Sequence, residues 1–521
     1  MLSTSKANSP ASKTATPAWN IRKVIAASSV GTLIEWYDFY IFGSLATVIA
    51  GQFFPKGNPT AALLSTLATF AAGFIVRPFG ALVFGRLGDL IGRKYTFLLT
   101  LVIMGGSTFA IGLVPRYDTI GFAAPLLVLL LRLLQGLALG GEYGGAATYV
   151  AEHSPVGRRG YYTSWIQATA TVGLFVSLGV ILLTRHVLDT DPARSIEKFN
   201  DWGWRIPFLV SIILVAVSVY IRLKMKESPL FSQLKDEGKL SVNPLKESFG
   251  HKANLKMVLL ALFGAAMGQG VVFYASQFYA QSFLENVCKI DFDQSKTMLL
   301  LAILLATPFF IVFGGWSDRV GRKWIMLGGM LLAIVTYRPL FNQLLVLSDS
   351  AGRIEQTEQK EIRNTVAFIG KSRDMIQTNA TLTHYEGGFL LTETKKDTVY
   401  ASGKTSATPV VTIAKSLDTA DYWKIVAVLF VLVFYVTMVY GPIAAFLVEL
   451  FPTRIRYTSM SLPYHVGNGV FGGLAPFIAV LLSTIYTGDK LVGLWYPIGV
   501  CAVCLVIGAI YIPGRGKKAG S

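Results

Sequence analysis

The amino-acid sequence predicts an all-α polytopic membrane protein with twelve transmembrane helices in two six-helix bundles and a small extracytoplasmic insertion between helices 9 and 10. Three observations predict this fold: an apolar composition, twelve long apolar runs and an internal duplication. Of the 521 residues, 53% are hydrophobic and 15% are charged, with a mean hydropathy of +0.52, whereas about a quarter of the residues of a soluble domain are charged. The composition and the runs together exclude a soluble enzyme.

The apolar runs are long enough to cross a hydrocarbon core of about 30 Å as helices that rise about 1.5 Å per residue. We expect one transmembrane helix for each run. Windows of about nineteen residues place the runs near residues 24–50, 62–85, 95–114, 121–150, 163–184, 204–222, 257–284, 297–316, 324–345, 424–448, 458–483 and 491–513.

Basic residues lie in every second connection between the runs. They are Arg22 and Lys23, Arg86, Arg93 and Lys94, Arg158 and Arg159, Arg222, Lys224 and Lys226, Arg319, Arg322 and Lys323, Arg454 and Arg456, and Arg515, Lys517 and Lys518. Because Lys and Arg are retained on the cytoplasmic side, this alternation predicts that both termini are cytoplasmic. It also accounts for the excess of 47 Lys and Arg over 30 Asp and Glu without a nucleic-acid partner.

Two echoes within the sequence indicate a duplication of six helices. Residues 85–94 (GRLGDLIGRK) recur as residues 314–323 (GGWSDRVGRK), with Asp89 matched to Asp318 at an offset of 229 residues. Glu152, Pro155 and Arg159 recur as Glu449, Pro452 and Arg456 at an offset of 297 residues. The second half has therefore gained 68 residues between the two echoes.

This gain falls at residues 346–420, between the ninth and tenth runs, on the predicted extracytoplasmic side. The stretch carries nine basic and nine acidic residues, which predicts a water-soluble insertion. Thr, Val, Tyr and Phe between Thr381 and Ile413, with breaks at Gly387-Gly388 and Ser402-Gly403, favour short strands and turns. A small folded cap and a disordered loop both remain open.

These boundaries divide the chain into seven parts. They are a disordered cytoplasmic tail (1–22), the first bundle (23–222), a central cytoplasmic loop (223–256), helices 7–9 (257–345), the insertion (346–420), helices 10–12 (421–514) and a cytoplasmic tail (515–521).

Charged residues inside the runs are the candidates for function. Glu35 and Asp38 are spaced i, i+3 and share one helix face. A charge facing lipid costs from ~3 kcal/mol upward, so we expect both carboxylates to face the bundle interior. A structural pair neutralised by an Arg and a proton or substrate site are both possible interpretations.

The fourth run adds Arg132, Gln135 and Glu142 on one side of a helix, and the second run adds Arg77. Three carboxylates then face two guanidinium groups in the first bundle. A buried carboxylate without a cation can take up and release a proton near physiological pH. Arg stays charged and binds carboxylates with two parallel hydrogen bonds, which makes Arg132 the first candidate and Arg77 the second for holding an acidic substrate.

Several longer motifs resemble one branch of a known family. The chain resembles the major facilitator superfamily and, within it, the bacterial metabolite:proton symporters related to α-ketoglutarate, shikimate, citrate and proline/betaine carriers. The motifs that carry the resemblance are Glu35-Trp36-Tyr37-Asp38-Phe39, the two Gly-rich segments above, Phe74-Ile75-Val76-Arg77-Pro78-Phe79-Gly80, Arg132-Leu133-Leu134-Gln135-Gly136, Gly140-Gly141-Glu142-Tyr143-Gly144 and Trp202-Gly203-Trp204-Arg205-Ile206-Pro207-Phe208.

The resemblance implies proton-coupled uptake of a small carboxylate or zwitterionic metabolite by alternating access. We expect proton coupling by Asp38, Glu35 or Glu142, in that order. The candidate substrate-binding residues are Arg132, Arg77, Gln135, Tyr37, Tyr274, Gln277, His465 and Asn468, and the resemblance implies a gating motif of Asp89, Arg93, Asp318 and Arg322.

The expected partners are a small-molecule substrate, a proton and the lipid bilayer, with no cofactor, no metal ion and no nucleic acid. We expect a monomer in the bacterial inner (plasma) membrane. An exporter of drugs or metabolites with the same fold is the alternative function, and a membrane sensor that does not transport, with the insertion as its ligand domain, is a third.

Overall fold

The structure, a computed structural model, describes residues 18–55, 59–155, 157–224, 229–356, 360–368, 375–399 and 410–512. In these residues eleven helices are long and apolar enough to cross a membrane, and a twelfth span forms where two helices meet at a bend of 63°. The predicted twelve-helix fold is confirmed. The spans are α1 (Ser28–Ser44 with Ala46–Phe53), α2 (Ala61–Leu90), α3 (Lys94–Leu113), α4 (Ala123–His153), α5 (Arg159–Leu188), α6 (Arg205–Leu223), α7 (Lys252–Asn286), α8 (Phe292–Val320), α9 (Arg322–Leu347), α10 (Thr419–Leu450), α11 (Thr453–Ile485) and α12 (Val492–Tyr511).

Short helices lie between some of the spans, at Tyr117–Ile120, Pro192–Lys198, Pro229–Asp236 and Pro244–Gly250. The helix that forms the first part of α1 begins ten residues before the span, at Ala18. Residues 1–17 of the predicted disordered tail lie outside the described residues. Its last part, residues 18–22, is helical, so the prediction of disorder was wrong there.

The helices pack into two halves. In the first half α1 packs on α5, α2 and α3 pack on α4, and α3 packs on α6; in the second half α8 and α9 pack on α10, and α9 packs on α12. The halves meet mainly along α5 with α8 and along α2 with α11. The buried interface between the halves is where the candidate site lies.

Glycines allow α2 and α4 to cross with their backbones in contact. A Cβ atom added at Gly136 would lie 1.9 Å from the carbonyl oxygen of Gly73, and one added at Gly80 would lie 2.0 Å from that of Leu137. Helix α2 is interrupted at Val76, and its second segment starts at Arg77 with Pro78 in the first turn, where a missing N–H costs nothing. The crossing and this break bring the two intramembrane arginines of α2 and α4 close together.

The insertion contains a four-stranded antiparallel sheet in the order β1 (Glu361–Phe368), β2 (Met375–His384), β3 (Leu390–Val399) and β4 (Val410–Ser416). The strands begin twenty residues before the predicted region, at Glu361, because the first half of β1 (EIRNTVAF) contains charged residues and Asn, which weaken the sequence signal for a strand. The predicted break at Gly387-Gly388 is a turn with both φ angles positive. The predicted break at Ser402-Gly403 lies outside the described residues.

The sheet is attached to the bundle at its base. The backbone of Lys415 in β4 exchanges hydrogen bonds with the α7–α8 connection, at Lys289 (2.7 Å) and Asp291 (2.8 Å). Arg353 forms ion pairs with Asp418 (2.9 Å) and Asp421 (2.6 Å) at the start of α10. Among the described residues the insertion is therefore an ordered sheet; its position on the extracytoplasmic side remains a prediction.

Candidate functional site

A buried arginine of α6 holds two of the three predicted carboxylates. Arg222 forms an ion pair with Glu35, and its guanidinium group contacts both oxygens of Glu142, at 2.5 Å and 3.2 Å. The Thr100 hydroxyl also donates to Glu142, at 3.0 Å. All three charged side chains are buried. A buried pair in this geometry offsets the cost of removing the charges from water.

This arrangement corrects the assignment of Arg222. The sequence places it among the basic residues of the connection after the sixth run, but it lies in the last turn of α6 and points into the bundle. The count of three carboxylates against two guanidinium groups was therefore wrong, because Arg222 is the third guanidinium group. The charges of the first half balance in number, but they are not paired one to one.

Asp38 is the carboxylate without a partner. It is buried, and among the residues that the structure describes neither of its oxygens accepts a hydrogen bond. It lies almost one helical turn beyond Glu35 along α1. An isolated carboxylate at this depth is costly as an anion and is stable only with a proton or a cation.

Arg77 and Arg132 lie on the faces of aromatic rings rather than on acids. The central atom of the Arg77 guanidinium group, Cζ, is 4.0 Å from the ring centre of Phe74 and 4.3 Å from that of Phe39. The same atom of Arg132 is 4.4 Å from Phe39 and 4.4 Å from Phe42. The two cations therefore share Phe39, which is located in the motif of α1, and cation–π contacts of this kind contribute about 1 to 2 kcal/mol where water is excluded.

Most hydrogen-bond donors of these two arginines are unused. Both side chains are fully buried, and Arg132 donates only from Nη1, to the Gln135 side chain at 2.7 Å. The three nitrogens of Arg77 and two of Arg132 have no acceptor in good hydrogen-bond geometry among the described residues, and the Tyr274 hydroxyl lies beside the Arg77 guanidinium group. Two buried cations without an anion form a site that is incomplete without an acidic ligand.

The second half faces these arginines with neutral polar and aromatic side chains. Tyr274 of α7 packs edge-on against Phe74, with ring centres 5.0 Å apart. Its hydroxyl, both polar atoms of Gln277 and both ring nitrogens of His465 are buried and have no partner among the described residues. These three candidates can therefore contribute hydrogen bonds to a ligand.

Three other predicted site residues already have partners. The Tyr37 hydroxyl donates to the Pro207 carbonyl oxygen at 2.9 Å, within the first half. Asn468 exchanges two amide hydrogen bonds with Gln269, at 2.8 Å and 3.0 Å. Gln135 joins Arg132 to the Thr108 hydroxyl at 2.6 Å. Tyr37, Asn468 and Gln135 thus fix neighbouring side chains, and none of the three is free to contact a substrate in this arrangement.

The two Gly-rich motifs lie at the same end of the bundle, which we call the motif end. Asp89 accepts hydrogen bonds from the backbone N–H (3.1 Å) and hydroxyl (2.7 Å) of Thr458, in the first turn of the Arg456–His465 segment of α11. Asp318 accepts from the backbone N–H groups of Gly160 and Tyr161, both at 2.9 Å, in the first turn of α5. Each acid therefore caps the amino terminus of a helix in the opposite half, where a negative charge is favourable.

Further ion pairs lie near both ends of the interface, and two of them, Arg456–Glu152 and Arg185–Asp293, join the two halves. Arg322 contacts Asp318 at 2.6 Å and Glu449 at 2.9 Å, and Arg456 contacts Glu152 of the other half at 3.1 Å. At the opposite end Arg185 of α5 pairs with Asp293 of α8. The side chain of Arg93 lies outside the described part of the structure.

Comparisons with known proteins agree with this architecture. The profile of a family described as sugar (and other) transporter matches residues 23–241. The Escherichia coli (strain K12) inner membrane metabolite transport protein YhjE is 33% identical over 485 residues, which cover 92% of each protein. The chain belongs to the major facilitator superfamily. It is a multi-pass membrane transporter of sugars or metabolites and not an enzyme, and the family resemblance carried by the motifs is confirmed.

Two further similarities concern a relative and a solved structure. The citrate-proton symporter of Klebsiella pneumoniae is 30% identical, with 94% of this transporter and 91% of that protein covered. The xylose transporter XylE from E. coli, in a partially occluded inward-open conformation, has a TM-score of 0.62 at 16% identity and covers 96% of this transporter and 99% of that chain. The latter similarity supports the fold alone.

Sequence reasoning did not predict two contacts between the halves, although Tyr143 stands in one of the motifs that carry the family resemblance. Tyr143 of α4 and Tyr464 of α11 stack across the interface with ring centres 3.4 Å apart. The hydrogen bonds between Thr458 and Asp89 were not predicted either. No local pattern distinguishes these residues, because each acquires its position from a helix more than three hundred residues away in the chain.

Proposed function

We propose that this transporter takes up a small carboxylate or zwitterionic metabolite together with a proton, from the outside to the cytoplasm of a bacterial cell. The substrate carboxylate lies between Arg132 and Arg77. Tyr274, Gln277 and His465 of the second half bind the remainder of the solute. Because these residues come from both halves, a bound substrate draws the halves together at the centre, as alternating access requires.

The single observation that supports a carboxylate is the pair of fully buried arginines with five unused nitrogen donors. Leaving such cations unpaired is expensive, and an acid that accepts their hydrogen bonds recovers that cost. Arg is suited to this role because its planar group binds a carboxylate through two parallel hydrogen bonds. The citrate-proton symporter among the relatives acts on a molecule of this class.

Proton coupling is assigned to Asp38. In our proposal the proton taken up from outside neutralises this carboxylate, which has no cation of its own, and its release to the cytoplasm restores the negative charge. Glu35 and Glu142 already share Arg222 and act as a structural triad in this scheme. A proton then moves with the substrate because the substrate-loaded carrier converts between the two open states only when Asp38 is neutral, whereas the empty carrier returns with Asp38 charged.

The experiment has two stages. Thermal unfolding of the purified protein with a panel of dicarboxylates, hydroxy acids and betaines identifies a ligand, because only binders raise the melting temperature. Uptake of that ligand into proteoliposomes is then measured with and without an imposed pH gradient, and we expect accumulation only when the outside is acidic. Uptake that ignores the gradient contradicts the coupling.

Matched variants test the position of the substrate. Arg132→Gln and Arg77→Gln keep a polar side chain but remove the charge, and we expect ligand affinity to fall by about 100-fold or more, as when one partner of a buried charge pair is lost. Arg116→Gln is the control, because Arg116 is a peripheral arginine paired with the exposed Asp201. Wild-type affinity in either central variant would contradict the proposed site.

A further inference from the structure

A groove between the halves at the motif end is left open by the protein. It encloses about 770 Å³ between α5 and α8, and Arg158, Tyr161, Trp316 and Arg319 are among its lining residues. Both arginines are exposed to the surroundings. In the part of the chain that the structure describes, neither guanidinium group has an ion-pair or hydrogen-bond partner. The groove is therefore lined by two arginines that have no partner among the described residues.

The corresponding groove between α2 and α11 is covered by the chain itself. The short helix Pro244–Gly250 packs on both helices there. Its Glu247 forms an ion pair with Arg454 at the start of α11, and its Ser248 hydroxyl bonds that of Ser459 at 2.8 Å. At this groove a carboxylate of the central connection thus neutralises the basic end of the helix.

The duplicated fold therefore has two related grooves: the chain covers the one between α2 and α11 and leaves the one between α5 and α8 open. In the described residues the segment Pro244–Gly250 brings a carboxylate to the groove between α2 and α11. Among the described residues the carboxylate that lines the other groove, that of Asp318, is already bound to Arg322 and to the backbone of α5. An anion from outside the chain is the simplest partner for Arg158 and Arg319.

The other lining residues indicate what kind of anion fits. Tyr161 and Trp316 are exposed aromatic side chains at the ends of their helices, the position that Tyr and Trp favour at a membrane–water boundary. Ile311 and Val312 line the same cavity one to two turns further into the span, and Val312 is 54% exposed. The groove thus passes from two cations, through an aromatic zone, to an aliphatic surface.

We propose that this groove binds an anionic phospholipid. The phosphate lies between Arg158 and Arg319, the glycerol region contacts Tyr161 and Trp316, and one acyl chain follows Ile311 and Val312 along α8. Arginine pairs bind phosphate through several charge-assisted hydrogen bonds. The order of these residues along the groove matches the order of the parts of a phospholipid.

Binding there joins the two halves of the transporter. Arg158 precedes α5 of the first half and Arg319 ends α8 of the second half, and Asp318, which caps α5, lines the same cavity. A phosphate can keep its hydrogen bonds to both arginines only while α5 and α8 stay together. Anionic lipid therefore stabilises the state that is closed at the motif end.

The test uses the full-length protein purified in a neutral detergent. Short-chain dioctanoyl phosphatidylglycerol is titrated while thermal unfolding is recorded, and dioctanoyl phosphatidylcholine and inorganic phosphate are titrated in parallel. We expect phosphatidylglycerol to raise the melting temperature and the other two to leave it nearly unchanged. Equal effects of both lipids, or an equal effect of inorganic phosphate, would overturn the phospholipid proposal in favour of unspecific detergent-like or free-anion binding.

The double variant Arg158→Gln/Arg319→Gln tests the position. We expect its apparent affinity for phosphatidylglycerol to be about 30-fold weaker, since each basic side chain near an anionic lipid contributes about fivefold. Arg86→Gln, another exposed arginine at the motif end but not among the lining residues, should keep the wild-type affinity. An unchanged affinity in the double variant contradicts the site.

Native mass spectrometry provides a second measurement if the double variant is unstable. Each single variant is released from mixed phosphatidylglycerol and phosphatidylcholine micelles, and the number of bound anionic lipids is counted. We expect one fewer tightly held phosphatidylglycerol than in the wild type. Equal numbers in the wild type and both single variants would overturn the proposal.

Discussion

At the residue scale, the buried charges of the first half are distributed unevenly. Arg222 contacts two carboxylates. Asp38 has no cation or hydrogen-bond donor as a partner among the described residues, and Arg77 and Arg132 lie against aromatic rings. The uneven pairing separates a stable cluster from two incomplete sites. One of these lacks a cation and the other lacks an anion, which is the arrangement expected of a carrier for a proton and an acid.

Asp38→Asn removes the titratable group but keeps the size of the side chain. We expect this variant to bind the substrate with near wild-type affinity and to exchange it across the membrane, but to lose accumulation driven by a pH gradient. Thermal shift, counterflow and proton-driven uptake in proteoliposomes measure the three properties. Asp38→Glu is the control and should keep part of the driven uptake; full proton-driven accumulation by Asp38→Asn would remove Asp38 from the coupling role.

Arg222→Gln should lower the stability of the fold strongly. It leaves Glu35 and Glu142 buried without their cation, and breaking a buried pair in this way costs about 3–5 kcal/mol. Loss of melting temperature in detergent measures the effect. The triple variant Arg222→Gln/Glu35→Gln/Glu142→Gln has no charge left in this cluster and should recover most of the stability, and a triple variant as unstable as the single one would contradict the triad.

At the element scale, the helix ends form a symmetrical pair of latches. Asp89 of α2 caps the amino terminus of an α11 segment, and Asp318 of α8 caps that of α5. The acceptor and its donors lie 369 and 158 residues apart in the chain. Each latch therefore exists only while the halves are together at the motif end.

Asp318→Asn should shift the transporter toward the state that is open at the motif end. The change weakens the hydrogen bonds to Gly160 and Tyr161, and a helix cap contributes about 1 kcal/mol, which corresponds to roughly a fivefold change in the ratio of closed to open molecules. The rate of alkylation of a cysteine introduced near Gly160 reports opening.

Two further variants serve as a parallel test and a control for Asp318→Asn. Asp89→Asn should act in the same direction, because it weakens the related latch. Asp236→Asn changes an exposed acid in the central connection and should leave the alkylation rate unchanged. Equal rates in Asp318→Asn and the wild type would show that the contact does not hold the motif end closed.

At the scale of the whole molecule, the insertion is an addition to a complete transporter. Its sheet contacts the bundle through β4 and through Arg353, whose guanidinium group also lies 4.1 Å from the ring centre of Phe389. The central residues proposed to bind substrate and proton come from other parts of the chain. The insertion is therefore not needed to build the transport site.

Deletion of residues 356–416, replaced by a short Gly-Ser linker, should preserve transport. It keeps Arg353 with its partners Asp418 and Asp421, so that α9 and α10 stay connected as in the full-length chain. We expect uptake in proteoliposomes within about twofold of the wild type. A folded deletion variant that has lost both ligand binding and uptake would contradict this prediction, because the insertion would then be needed for ligand binding, as the sensor alternative requires.

Much of the site was predictable from the sequence, because an ionisable residue in an apolar run is conspicuous. Glu35, Asp38, Arg77, Arg132 and Glu142 were all found in this way, and all five are buried. Arg222 was not found, since it stands at the end of a run beside Lys224 and resembles an ordinary basic residue of a connection. The direction in which the Arg222 side chain points depends on where α6 ends relative to α1 and α4, and this is a property of the tertiary structure.

Hydropathy and repeats are local properties of the chain, and they were enough to predict the number of spans, the duplication, the position of the insertion and five of the buried charges. Which charges are paired became clear from the packing of the helices. Glu35 and Asp38 share one helix face and looked equivalent, but Glu35 reaches Arg222 and Asp38 does not. Pairing depends on distances of a few ångströms between helices that are remote in sequence, and electrostatic interactions in a low-dielectric interior are decided at that range.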